Sequence, residues 1–472
     1  MRLLRSAPFF ATLLAALALG CAAPMGPVLV AWPEVRPEAV VLRDVRILDV
    51  RTGRLGGRSD VRLEGDRIAA IAKPGGVELA GAVVVEGGGA SLLPGLVDMH
   101  GHIATPTGPA WEFTSPPTPE LNLRAYVYAG VTTVFDPGDG SGDAFDRRKR
   151  VGSGALIGPQ IFTVGPILTA PSSHPIAMIE ELLPGWLAWI VARGVAIPLE
   201  DDAAARAVVE ELAEEGADGI KIVVDRIPLE SRRLSLERAR AVVEAGRAQG
   251  LRTVAHIGTT EDALDAGRAG VALWVHGVYK ERIPDERIAE LAAYGIPMVT
   301  TSEVFDSYGR IRFGPLERTR LERETVPKEK LDSFHPIPEA FDAGPLEGWI
   351  VLMQETREVR LDNVRRLHDA GVTILTGSDV QSNVFPGASL HRELHTLVQA
   401  GLTPAEALRA ATLHPAQWIS QEDDPPFGVI GVGKRADLIL VEGDPTSDVG
   451  VLEEIRAVIL AGVPVDRVPV GK

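Results

Sequence analysis

A (β/α)8 TIM barrel carrying a small β-sandwich domain, built from the N- and C-terminal segments, is the α/β fold the sequence predicts. Three observations predict it. The chain has 472 residues, 45% hydrophobic and 24% charged, enough for a barrel of roughly 250 residues and a further domain with an ordinary globular balance. Its middle alternates apolar runs with helical periods about eight times, the number of βα units that closes a barrel. Its two ends share another texture, short alternating strands separated by glycine turns.

Taken in order, residues 1–20 read as a signal peptide, with Arg2 and Arg5 ahead of an apolar run from Pro8 to Leu19 that is too short to span a bilayer as a helix. Leu17-Ala18-Leu19-Gly20-Cys21 resembles the lipobox of bacterial lipoproteins. That resemblance implies export, acylation of Cys21 and residence on the periplasmic face of the cell envelope, or secretion. Residues 21–38, with Pro24, Pro33 and Pro37, are expected to act as a tether. Cys21 is the only cysteine of the chain, so intrachain disulfides and thiolate metal cages are excluded, and a metal must be held by His, carboxylate or Lys-derived ligands.

Residues 39–91 alternate apolar and polar side chains, and residues 424–472 return to that pattern, so the two segments are expected to pair as the small β domain. Between them, residues 92–423 form the barrel, with strands expected at 92–99, 131–135, 161–168, 220–224, 253–257, 273–276, 297–301 and 372–376. Helical periods at 203–214, 236–249 and 403–413 fill the gaps, the last opened by Thr403-Pro404 as cap and first helical residue. The stretches 169–200 and 303–350 are longer than connections require and follow barrel strands, as lids or substrate walls do.

Lys+Arg 48 against Asp+Glu 64 leaves a net charge of −16, with no basic stripe to offset it, which excludes nucleic acid as a partner. Attention then falls on Asp98-Met99-His100-Gly101-His102. Side chains alternate along a strand, so His100 and His102 face the same side of its end and can chelate one cation. Lys221 lies within the apolar run Gly219-Ile220-Lys221-Ile222-Val223, His256 and His276 end the next two strands, and Asp379 follows the last. All stand at C-terminal strand ends, where barrel active sites are built.

With these residues in view, the sequence resembles the metal-dependent amidohydrolase superfamily, in particular its imidazolonepropionase- and prolidase-like members. The run Leu93-Pro94-Gly95-Leu96-Val97-Asp98-Met99-His100-Gly101-His102 is similar to their entry motif, Gly130-Val131-Thr132-Thr133-Val134 to their second strand, and Gly377-Ser378-Asp379 to their terminal aspartate. Gly401-Leu402-Thr403-Pro404-Ala405-Glu406-Ala407 and Gly433-Lys434-Arg435-Ala436-Asp437-Leu438 resemble their closing segments. The resemblance implies that His100, His102 and Asp379 hold one divalent ion and His256 and His276 a second, bridged by a carboxylated Lys221, the carbamate formed with carbon dioxide. Two ions sharing a water lower its pKa and leave hydroxide as nucleophile, while Asp379 passes the proton to the leaving nitrogen. Zinc is the default ion for such ligands. His174, in a loop where Ser172 and Ser173 replace the family's two glycines, is expected to touch substrate and to be catalytic.

His391 reads either as another substrate contact or as a capping or solvated residue, His335, His368, His395 and His414 as structural or exposed, and Trp111, Tyr126 and Tyr128 as packing near the mouth. The function expected is hydrolysis of a C–N bond in a small amide or peptide, with a prolidase-like dipeptidase as the leading form. Two alternatives stand beside it. One is a mononuclear deaminase or cyclic-amide hydrolase of the same superfamily, although Thr259 occupies the position three residues beyond His256 where deaminases carry a glutamate. The other is a non-catalytic metal- or solute-binding lipoprotein. The partners expected are a small-molecule substrate, a membrane only through the lipid on Cys21, and other copies of the chain if it is a homo-oligomer.

Overall fold

Glycine 95 divides the first expected barrel strand between two sheets. In the computed structural model, Ser91–Pro94 pairs antiparallel with Leu438–Val441, whereas Leu96–Asp98 pairs parallel with Val131–Asp136. A Cβ at Gly95 would lie 2.1 Å from Thr132 Oγ1, so a larger residue there would collide with the second barrel strand. The structure describes residues 28–105, 118–139, 142–182, 185–310, 317–334, 344–381 and 383–470. The signal segment, Cys21, Trp111 and His335 lie outside the described residues.

The third expected strand is also broken. Gln160–Thr163 pairs with Val131–Asp136, and Ile167–Thr169 pairs with Ile220–Val223. Between them stand Gly165, at φ +72°, and Pro166, which has no amide hydrogen for a ladder. The strands Thr253–His256, Leu273–Val275, Met298–Thr300 and Ile374–Thr376 then follow in order, each parallel to the one before. Met99 N–H donates to Thr376 O at 2.9 Å, linking the eighth strand back to the first. The interior is filled by Val97, Met99, Phe135, Val254, Leu273, Val275, Val299 and Leu375. Chemistry is therefore confined to an end of the barrel.

The expected helices form with the capping their sequences supply. Asp202–Glu214 is capped by Asp201, Leu236–Ala248 by Ser235, and Pro404–Ala410 by a reciprocal Thr403/Glu406 box. The long stretch after the third strand folds into Ile176–Leu182, Gly185–Val195 and an additional parallel strand, Ala196–Pro198. The other long stretch contributes Ser302–Arg310 and Glu347–Glu355.

The two ends of the chain do join. Ala39–Asp49, Arg54–Glu64, Arg67–Ala72, Ala82–Glu86 and Ser91–Pro94 combine with Leu438–Val441, Ile455–Leu460 and Val463–Pro464 in one hydrogen-bonded mixed sheet. Its core includes Val40, Leu42, Val61, Leu63, Leu92, Leu438 and Ile459. The two stacked layers of a sandwich are not delineated by these bonds. Ala39–Asp49 pairs with Ala82–Glu86 along its first half and with Ser91–Pro94 near its end, so one long strand serves both parts. The expected tether is likewise shorter than residues 21–38, because Val30–Ala31 pairs with Asp466–Arg467 and Leu29 is buried.

Candidate active site

At the C-terminal ends of the strands lies a cavity of about 520 Å³ lined by His100, His102, Lys221, His256, His276 and Asp379, with His174 beside them. All six residues expected to ligate metal are thus brought together. The period-two reading of the first strand holds in detail, since His100 Nε2 and His102 Nε2 are 3.2 Å apart. Asp379 Oδ1 lies 3.5 Å from His100 Nε2 and 3.2 Å from His102 Nε2. Ligands about 2.0–2.1 Å from a tetrahedral ion sit about 3.3 Å from one another, so this triangle has the dimensions of one cation's coordination shell. The other oxygen of Asp379 lies 3.7 Å from His276 Nδ1, and the His276 and His256 ring centroids are 4.0 Å apart. His100, His276 and Asp379 also bring ligand atoms within 4.8 Å of one another.

Two of these residues are held in backbone conformations that side chains disfavour, His276 at φ +77° and Asp379 at φ +54°. The Asp379 turn is fixed by its own N–H donating to His100 O at 2.6 Å. Beneath it, buried Asp98 accepts from His100 N–H and Ser378 N–H, both at 3.0 Å, and from the Ser378 hydroxyl at 2.5 Å. Burial raises the Asp98 carboxyl to about 6 against those donors. Asp98 therefore ties the first and eighth strands together directly under the ligands.

Burial, assisted by the neighbouring Lys221, drives His100 well below the ordinary imidazole range. Burial, with repulsion from neighbouring imidazoles and Lys221, does the same for His256 and His276. Neutral imidazoles keep a lone pair for a metal. At His102 burial opposes charge, but hydrogen bonds to Asp136 and Asp379 outweigh it and raise the group to about 10. Two carboxylates flanking the one ring, Asp136 towards Nδ1 and Asp379 towards Nε2, make this a position that suits a cation. Burial pulls the Lys221 ammonium down to about 7, with Asp379 opposing, which favours the neutral amine that carbamate formation requires.

His174 lies at the cavity wall, its ring centroid 5.1 Å from that of His256, and its buried Nδ1 has no hydrogen-bond partner among the described residues. Part of the wall is apolar, built from Ile179, Val195, Ile227, Val304, Phe305 and Trp349. Both long stretches thus supply side chains to the cavity wall. His391 does not line the cavity; its Nε2 bonds Ala129 O at 2.8 Å inside the protein, and burial lowers it to about 4. It is thus neither a cavity-lining contact nor a solvated residue. Tyr126 is packed under the His-Gly-His turn, where a Cβ on Gly101 would come within 2.7 Å of its hydroxyl. Tyr128 turns away from the cavity mouth and donates to Glu324 Oε2 at 2.9 Å.

Sequence reasoning missed the polar partners behind the imidazoles. His102 Nδ1 faces Gly138 O at 3.0 Å, His276 Nδ1 faces Thr301 Oγ1 at 2.7 Å, and His256 Nε2 faces Asp225 Oδ2 at 3.1 Å. Asp225, four residues past Lys221, was visible as an acidic residue beyond a strand end, but nothing local to it names its partner.

The sequence profile of the amidohydrolase family matches residues 91–465. Adenine deaminase 2 of Agrobacterium fabrum is 26% identical over 418 residues, which is 85% of this chain and 53% of that protein. The chain thus spans about half the length of the first such relatives. The imidazolonepropionase of a Geobacillus species is 22% identical over 401 residues, 77% of each chain. A solved prolidase complexed with N-methylphosphonate-L-proline has a TM-score of 0.72 at 22% identity, covering 91% of this chain and all of its own. The fold, the ordered site and the profile agree, and the chain belongs to the amidohydrolase family.

Proposed function

We propose that this protein is a metal-dependent hydrolase that cleaves the C–N bond of a small amide or peptide, in the manner of a prolidase-like dipeptidase. The observation that carries this reading is the convergence of His100, His102, Lys221, His256, His276 and Asp379 on one cavity. His100, His102 and Asp379 would hold one divalent ion, His256 and His276 a second, and a carboxylated Lys221 would bridge them. Such ions, zinc by default, activate water and polarise a carbonyl. Asp379 takes a proton from the attacking water and delivers it to the leaving nitrogen. His174, with its unpartnered buried Nδ1, orients the substrate. The wall of Val304, Phe305 and Trp349 receives an apolar side group and keeps water out.

The deaminase alternative lacks its proton carrier here. Thr259 accepts from Asp262 N–H as a helix cap, while Asp262 accepts from Thr259 N–H in return. The deciding experiment assays acyl dipeptides, hydantoins and lactams with metal-loaded and chelator-stripped protein. Hydrolysis of an apolar acyl amide that is lost on stripping and restored by Zn²⁺ is expected. Ion binding without turnover on any of them would favour the solute-binding reading instead.

Export with a lipid on Cys21 belongs to the same proposal and is supported by residues 1–21. Cys21→Ser is expected to shift the protein from the membrane pellet to the soluble fraction or to leave it unprocessed, as read by fractionation and N-terminal mass. An intact Met1 on the wild-type protein would overturn it.

A further inference from the structure

Behind the cavity wall, Asp225 collects four donors although it touches no substrate-lining space. Its Oδ1 accepts from Lys280 Nζ at 2.6 Å and from Arg226 N–H at 2.7 Å. Its Oδ2 faces His256 Nε2 at 3.1 Å and accepts from the Tyr279 hydroxyl. The carboxyl is 1% exposed. Room for it exists because residue 258 is glycine, where a Cβ would lie 2.4 Å from Asp225 Oδ1.

We propose that Asp225 is a positioning residue that fixes the tautomer of His256, holding the proton on Nε2 so that Nδ1 presents its lone pair to the cavity. An ionised carboxylate only accepts, so a hydrogen bond between it and Nε2 places the hydrogen on Nε2. His102 is fixed in the opposite sense, because Gly138 O can only accept from Nδ1, which leaves Nε2 as the nitrogen that faces Asp379. The two imidazoles therefore offer different nitrogens to the same cavity, each chosen by the group behind it. Tyr279 extends the effect, since its ring stacks on Phe305 of the substrate wall at 4.0 Å.

The same accounting makes Asp225→Asn disruptive in a specific way. Lys280 Nζ and Arg226 N–H are obligatory donors, so the single carboxamide oxygen must face them. The NH₂ group is then aimed at Tyr279 and His256. Tyr279 can accept, whereas His256 must give up its Nε2 proton and carry it on Nδ1. That nitrogen can no longer ligate.

This inference rests on the proposed metal-dependent reading, and the test separates the two. In metal-free full-length protein, ¹⁵N shifts of the His256 ring are expected to show Nε2–H in the wild type and Nδ1–H in Asp225→Asn. Zn²⁺ titrated into each protein is expected to give two sites in the wild type, and in the variant one site weakened about 10–100-fold, with the other unchanged. Asp225→Glu, which restores an acceptor, is expected to recover part of that affinity. An Nδ1–H tautomer in the wild type, which needs no variant to fold, would overturn the proposal. So would equal affinity at both sites in Asp225→Asn. A wild type that binds no Zn²⁺ but keeps His256 as Nε2–H would defeat the hydrolase reading and leave the role of Asp225 standing.

Discussion

Replacing Asp379 by Asn is expected to leave both divalent ions bound and to lower turnover by at least about 10²–10⁴-fold, the usual worth of a positioned general base. The carboxamide keeps an oxygen of nearly the same shape where Asp379 Oδ1 lies 3.2 Å from His102 Nε2. It cannot accept the proton of the attacking water. Asparagine also tolerates the left-handed backbone at φ +54°, and the N–H bond to His100 O belongs to the main chain. The fold and the ligand geometry should therefore persist. Metal analysis and single-turnover kinetics on the preferred amide check both halves. Wild-type turnover with two ions bound would place the proton shuttle elsewhere, and His174 would be the next residue to replace.

How far the sequence disclosed this site depended on the range over which each feature is encoded. Period-two alternation is local, so it placed His100 and His102 on one side of a strand end, and their Nε2 atoms are 3.2 Å apart. Caps are equally local, as Thr403 and Glu406 show. The breaks at Pro94-Gly95 and at Gly165-Pro166 carry turn dipeptides, yet the apolar runs on both sides of each led to a single expected strand. Periodicity says which residues are buried and is silent on which sheet a strand joins. Supporting contacts were the least legible. Asp98 stood within the entry motif, yet its meaning lies in Ser378, 280 residues away. Asp225 finds His256 only through pairing of adjacent strands, 31 residues apart in sequence. The single sheet at the chain ends was obscured for a related reason, since one strand, Ala39–Asp49, takes two successive partners on the same edge.

Lys221→Ala is expected to lose most activity together with one of two bound ions, and it tests the bridge independently of the proton shuttle. Lys221 is 2% exposed within Ile220–Val223, a strand paired along its length with Thr253–His256. Truncation removes a buried amine and leaves a space beside His100, His276 and Asp379, a change the strand can accommodate because alanine requires no polar partner. His256 and His276 stay in place, but without an anionic bridge two like-charged ions on adjacent ligands repel and the weaker one leaves. Short carboxylic acids fit the vacated volume and supply two oxygens, so propionate is expected to restore part of the activity and the second ion. Arginine or glutamine at the same position should not be rescued, since each fills the space that the acid needs. Metal content per chain, measured with and without propionate, decides the matter: an unchanged ion count in Lys221→Ala would show that the lysine bridges nothing.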